Sequence, residues 1–129
     1  WGKWRDAHPD TLVLSTDTGF MKDYSHDAYG KYRDSSNLMF PVSKNSDAMH
    51  PKAVVFGFDL GSEKIAFPET LLQDKGNIDH EFSGKLVSVN LADDGIVTMT
   101  DKASGETYSP VRLYWFAWFT FHPETDLVR

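Results

Sequence analysis

A chain of 129 residues that is 40% hydrophobic and 14% aromatic holds enough apolar surface for one packed core. Its formal charge of −6, from 13 Lys and Arg against 19 Asp and Glu, argues against nucleic acid or an anionic lipid surface as partner, because both require a basic face. The absence of cysteine excludes disulfides, cysteine-held zinc or iron–sulfur sites and thiol nucleophiles.

In chain order, Trp1 to Ala7 reads as a short helix, stopped where Pro9 bars the α conformation at His8. "TLVLS" (11–15) is apolar and β-branched and reads as a short strand. From Thr16 to Lys52 turn formers alternate with Tyr, Phe and Met without a period, which predicts a long ordered loop pinned by its aromatic rings. "AVVFGFD", "LGS" and "EKIAFP" predict a hairpin that carries Val54, Phe56 and Phe58 on one face and Ile65 and Phe67 on the return. "PETLLQDKG" predicts one or two helical turns between Pro68 and Gly76. Residues 80–109 predict three more strands, with Val87, Val89 and Leu91 alternating against Ser88 and Asn90. A helix is expected from about Tyr114 to Pro123. The run "LYWFAWFTF" is too short to span a membrane, which takes about 20 apolar residues.

One pattern occurs twice. Trp1, Trp4, His8, Pro9 and Thr11 return as Trp115, Trp118, His122, Pro123 and Thr125 at a constant spacing. All four tryptophans lie in these two copies. Their clustering predicts a structural motif that fills one core, with each His closing a helix end before its Pro. His8 and His122 are also the weak candidates for a metal site, but no H-x-H or H-x-x-x-H spacing supports one, so no metal or cofactor is expected. His50 before Pro51 reads as another chain-direction device. His80 stands between Asp79 and Glu81, whose side chains point to the opposite face of a strand.

The order "WGKW…HPDTLVLSTDTGFMKDY…DAYGKY", "LMFPV", "HPKAVVFGFDLGSEKIAFP" and "YWFAWFTFHPET" resembles the C-terminal part of domain-of-unknown-function family 3179, a bacterial and archaeal family. The resemblance runs over nearly the whole chain, and the HPDT and WFAW…HPET segments carry it most specifically. It implies an exported or lipid-anchored, extracytoplasmic protein. It also implies an upstream region with a Cys-Pro-x-Cys-type motif, whose cysteines this chain lacks. No reaction comes with the family.

The residues of "DYSHDAYGKYRD" are the candidate for function. Tyr24, His26, Asp27, Tyr29 and Tyr32 bring rings and polar tips together in a segment too polar to be buried whole, which suits a carbohydrate, peptide or protein partner. No nucleophile elbow or phosphate loop occurs. The expected architecture is a β-rich α+β single domain (1–129) with a largely antiparallel sheet, short helices and a long aromatic-rich loop, forming the C-terminal part of a larger family architecture. Two functions remain open. One is a noncatalytic binding or interaction domain of an exported bacterial protein. The other is the C-terminal half of a larger enzyme or metalloprotein whose reactive residues lie upstream.

The acidic balance gives a direct expectation: the chain leaves a generic DNA duplex unshifted in an electrophoretic mobility assay at physiological ionic strength. Salt-sensitive retention of the duplex would contradict it.

Overall fold

The computed structural model describes residues 1–129, which form two compact units, 1–33 and 34–129. The first unit opens with helix α1 (Gly2–Ala7), which buries none of its residues. The expected strand over residues 11–15 is not formed: the segment carries no regular structure and belongs to neither sheet. β-Branched residues favour a strand only where a neighbour completes the ladder, and none is present. The remainder is irregular apart from a 3-10 turn at Gly30–Tyr32.

The loop owes its order to a different device from the one its rings suggest. Phe20, Tyr24 and Tyr29 stay exposed, as does Phe40 of the second unit. The chain is held instead by short side-chain-to-backbone bonds two residues apart. The Ser15 hydroxyl accepts from the Asp17 N–H, Asp23 from Ser25, and Asp27 from Tyr29. The same device returns beyond residue 33, with Ser35 accepting from Asn37 and Ser46 from Ala48. These turns need only Ser or Asp at the right offset and no core.

The second unit begins with irregular chain up to Ala53. Lys52 is buried there, and its ammonium donates to the carbonyls of Ser35 and Asn37. The hairpin follows as expected, with β1 (Val54–Leu60) and β2 (Glu63–Pro68) antiparallel. Helix α2 (Glu69–Lys75) ends at Gly76, whose φ of 72° suits a residue without a Cβ. Then come β3 (Asn77–Phe82), β4 (Lys85–Leu91), β5 (Val97–Asp101) and a two-residue β6 (Thr107–Tyr108), an antiparallel meander in that order. Strand β7 (Val111–Tyr114) returns to pair with β1 and runs directly into α3 (Trp115–Phe121). Strand β8 (Asp126–Leu127), like β6 and β7 not foreseen in the sequence, pairs parallel with β2. The first sheet is therefore ordered β7-β1-β2-β8 and the second β3-β4-β5-β6. The fold is α+β and strand-rich, as the patterning indicates. No helix is long and apolar enough to cross a membrane.

The main core joins Phe56, Phe58, Ile65 and Phe67 of the first sheet to Val87, Val89, Val97 and Met99 of the second, with Leu72 of α2. Phe58 and Phe67 meet edge to face at 6.0 Å. The first sheet is buried on its other face as well. There Val55 and Ala66 pack with Trp115 and Trp118 of α3. Two buried faces explain why "VVFGF" and "IAF" read as unbroken apolar runs, whereas β5 alternates buried and half-buried positions. Gly57 belongs to this second face. A Cβ placed there would lie 2.4 Å from the Trp118 ring.

This packing predicts a coupled pair of effects. Trp118→Ala destabilises by about 3–5 kcal/mol through loss of a buried ring, and Gly57→Ala by about 1–3 kcal/mol through overpacking. In the Trp118→Ala background the Gly57→Ala penalty vanishes, because the space it needs is already open. Additive penalties in denaturant titrations of the two single variants and the double variant would show that the glycine and the indole do not meet.

Candidate binding surface

The repeated motif is one local structure built twice. In the first unit the His8 N–H donates to the Trp4 carbonyl at 2.8 Å and ends α1. The Thr11 N–H then donates to the His8 carbonyl at 3.1 Å, and the Trp4 indole N–H to the Thr11 hydroxyl at 3.0 Å. The His8 ring lies 4.1 Å from the Trp4 ring. In the second unit His122 donates to Trp118 at 2.9 Å and Thr125 to His122 at 3.1 Å. The Trp118 indole donates to the Thr125 hydroxyl at 2.9 Å, and the His122 ring lies 4.1 Å from that indole. Each repeated letter of the pattern thus has a task. His ends the helix through its backbone and covers the indole with its ring, Pro turns the chain, and Thr accepts the indole proton.

Burial separates the two copies. Trp115 and Trp118 are each 2% exposed, whereas Trp1 and Trp4 are 64% and 55% exposed. The expectation that both copies fill one core is corrected here: the second copy does so and the first does not. The motif specifies its own turn, but burial requires a sheet to lie against, and only α3 has one. Trp115 carries a cost of its position. Its indole N–H is buried without a hydrogen-bond partner, worth about 1–3 kcal/mol.

Of the five loop residues singled out from the sequence, three form one group. Asp27 accepts the Tyr29 N–H through Oδ1 and faces Arg33 through Oδ2 at 3.4 Å. The Tyr29 and Tyr32 rings stand 6.3 Å apart across the 3-10 turn. Tyr24 is tied elsewhere. Its hydroxyl shares a 2.7 Å hydrogen bond with Thr18, and the Lys22 ammonium sits 5.8 Å above its ring. Asp23 accepts the hydroxyl and the N–H of Ser25, which hold its carboxyl below the usual range. His26 has an exposed side chain between the two groups in sequence.

The other histidines serve the backbone or the core. The His50 ring accepts the Lys52 N–H at 3.2 Å. His80 meets Phe67 edge-on at 6.0 Å and approaches Asp126 of β8 at 3.4 Å, so it touches the parallel edge strand rather than its neighbours Asp79 and Glu81. No group of three His, Asp or Glu side chains converges in a way that could hold a metal ion.

A cleft of about 280 Å³, not foreseen in the sequence, opens between the turn end of the hairpin and the second sheet, lined by Asp59, Glu63, Lys85, Asp101 and Tyr108. Its charges are already engaged. Asp101 is buried and accepts the N–H groups of Ala103 at 2.8 Å and Ser104 at 3.2 Å, with Lys85 3.7 Å away. Those backbone donors first, and Lys85 after them, hold its carboxyl below the usual range. Asp59 is held low by the Lys64 ammonium and the Gly61 N–H. Tyr108 donates to Glu106 at 2.7 Å, a bond that raises its phenol. A general acid needs a carboxyl raised toward neutrality, and these are moved the other way. The only sequence signal for the cleft is "TDKASGE", where Asp101 reads as a turn former, which is also its role.

A family model described as "Protein of unknown function (DUF3179)" matches residues 1–109, so the second copy of the repeated motif lies beyond the matched stretch. No curated protein and no solved structure matches the chain.

The lowered carboxyls fix the acid response. Asp23, Asp59, Asp79 and Asp101 all sit below their ordinary value of 3.8 when folded. Each therefore contributes stability that is complete above the unfolded value and is lost as pH falls through the folded one. The unfolding midpoint should stay level from pH 7 to about 5 and drop below about pH 4. Asp101→Asn should lower the plateau and flatten the acid limb; an acid limb as steep as that of the wild type would remove Asp101 from this account.

Proposed function

We propose, for a chain that belongs to the DUF3179 family, a noncatalytic binding domain whose contact surface is the tyrosine-bearing loop of the first unit. One observation carries this reading. Tyr29, which is 55% exposed, stands beside Tyr32, with the Asp27–Arg33 ion pair at the same turn. Two adjacent phenol rings offer flat apolar area, and the ion pair offers directional donors and acceptors. That combination recognises a sugar ring or an extended peptide. The turn is fixed by the Asp27–Tyr29 bond and the 3-10 hydrogen bond from the Tyr32 N–H to the Tyr29 carbonyl, so little order has to be gained on binding. His26, exposed and next to Asp27 in sequence, extends the same surface. The reading includes an exported, extracytoplasmic setting, which rests on the resemblance to the family alone.

The test is a screen of soluble polysaccharides and short peptides against the whole chain. A ligand found this way should lose at least tenfold in affinity with Tyr29→Ala and with His26→Ala. Both side chains are exposed, so the melting temperature should stay within a degree or two. A ligand held equally well by both variants, or no ligand in either class, would refute the proposed surface.

A further inference from the structure

The repeated motif exists here in two states, seated and unseated. In the seated copy the Trp118 ring lies on Gly57, and the chain then adds as β8 to the outer edge of β2. The Val128 N–H donates to the Ala66 carbonyl at 3.0 Å, and Val128 is buried. Position for position, Leu12, Val13 and Leu14 of the first copy stand where Asp126, Leu127 and Val128 stand in the second. They are 96%, 67% and 90% exposed, following an exposed Trp4.

We propose that residues 1–14 are a docking element whose partner is a second β-hairpin of the β1–β2 kind, tethered in the same polypeptide on the N-terminal side of Trp1. The element is already formed: its helix end, its histidine cover and its indole-to-threonine bond match those of the seated copy. What it lacks is the sheet. The matching seat in this chain is taken, because Gly57 carries Trp118 and the edge of β2 carries β8. The seat has a chemical signature. It needs a glycine facing the indole, since a Cβ at Gly57 would lie 2.4 Å from the ring, and a strand edge able to take a parallel neighbour.

Two arguments place the partner in the same polypeptide. The contact is two indoles and a few strand residues, less than the roughly 800 Å² per side of stable associations between free proteins. A tether supplies the effective concentration that such a contact lacks. In the seated copy the order along the chain is hairpin, second sheet, docking element. The same order puts the missing hairpin ahead of Trp1. This inference uses residues other than the tyrosine loop and stands whether or not that loop binds a ligand.

The experiment joins a second copy of residues 53–114, which contains no tryptophan, ahead of Trp1 in the full chain. Acrylamide quenching should then fall from two accessible tryptophans of four to none. Gly57→Val in the added copy should restore both. Unchanged quenching in the extended chain overturns the proposal. A second variant covers an added segment that fails to fold: the unextended chain with the sequence of residues 1–14 in place of residues 115–128, keeping Phe119. It should unfold cooperatively with the transplanted indoles shielded, and a chain without a cooperative transition overturns the proposal. Dimers of the unextended wild type that dissolve with Trp4→Ala in sedimentation would make the partner a second molecule and would equally overturn the tethered assignment.

Discussion

The contact between the Trp118 indole and Gly57 is the constraint on which the second unit depends. A two-stranded hairpin is marginal by itself in water. Here β1 and β2 gain one neighbour on each edge and a covered surface on each face. One face is covered by the second sheet, a conventional apolar layer of valine, methionine and phenylalanine. The other is covered by a short helix, and that helix can lie close only because one strand position has no side chain. The glycine weakens the strand intrinsically, by roughly 0.5–1 kcal/mol. Admission of a fully buried indole outweighs that cost several times over.

The two copies of the tryptophan motif separate what local sequence decides from what tertiary context decides. Helix end, ring-on-ring cover and indole-to-threonine bond agree to within 0.1 Å in their hydrogen-bond lengths between the copies, whether the rings are buried or exposed. These are short-range consequences of Trp, His, Pro and Thr at fixed offsets. Burial is not. Even in the buried copy the match is imperfect, since Trp115 leaves its indole proton unpaired while Trp118 does not.

Much of the fold was legible because its elements follow simple periods. The hairpin, α2, the first three strands of the meander and α3 came from alternation, from Pro68 and Gly76 as punctuation, and from the repeat itself. The strand expected at residues 11–15 failed because strand propensity reports a fit to a neighbour, not a property of the segment. Strand β8 was illegible for the converse reason: "DL" has no pattern of its own and becomes a strand only beside Ile65 and Ala66. The aromatic loop was placed correctly, but its order was misattributed. Rings attract attention as anchors, yet Ser15, Asp23 and Asp27 do the holding. At the candidate surface, sequence proximity brought Asp27, Tyr29 and Tyr32 together. It overestimated the grouping at Tyr24, whose hydroxyl turns back to Thr18.

The parallel pairing of β8 with β2 also sets an order of events. The hairpin and the meander close between near neighbours in sequence, so their loops are cheap to form. The cover of the second face comes from much later in the sequence, with Asp126 returning to Ile65. During synthesis, Val55, Gly57 and Ala66 are complete long before the helix that shields them emerges. Until residues 115–128 leave the ribosome, the growing chain presents an apolar strand pair with an open edge, a surface that invites pairing with other nascent chains. The last turn of helix and the strand after it therefore act as a closing latch. Truncation there would expose an aggregation-prone sheet long before it disturbed the meander.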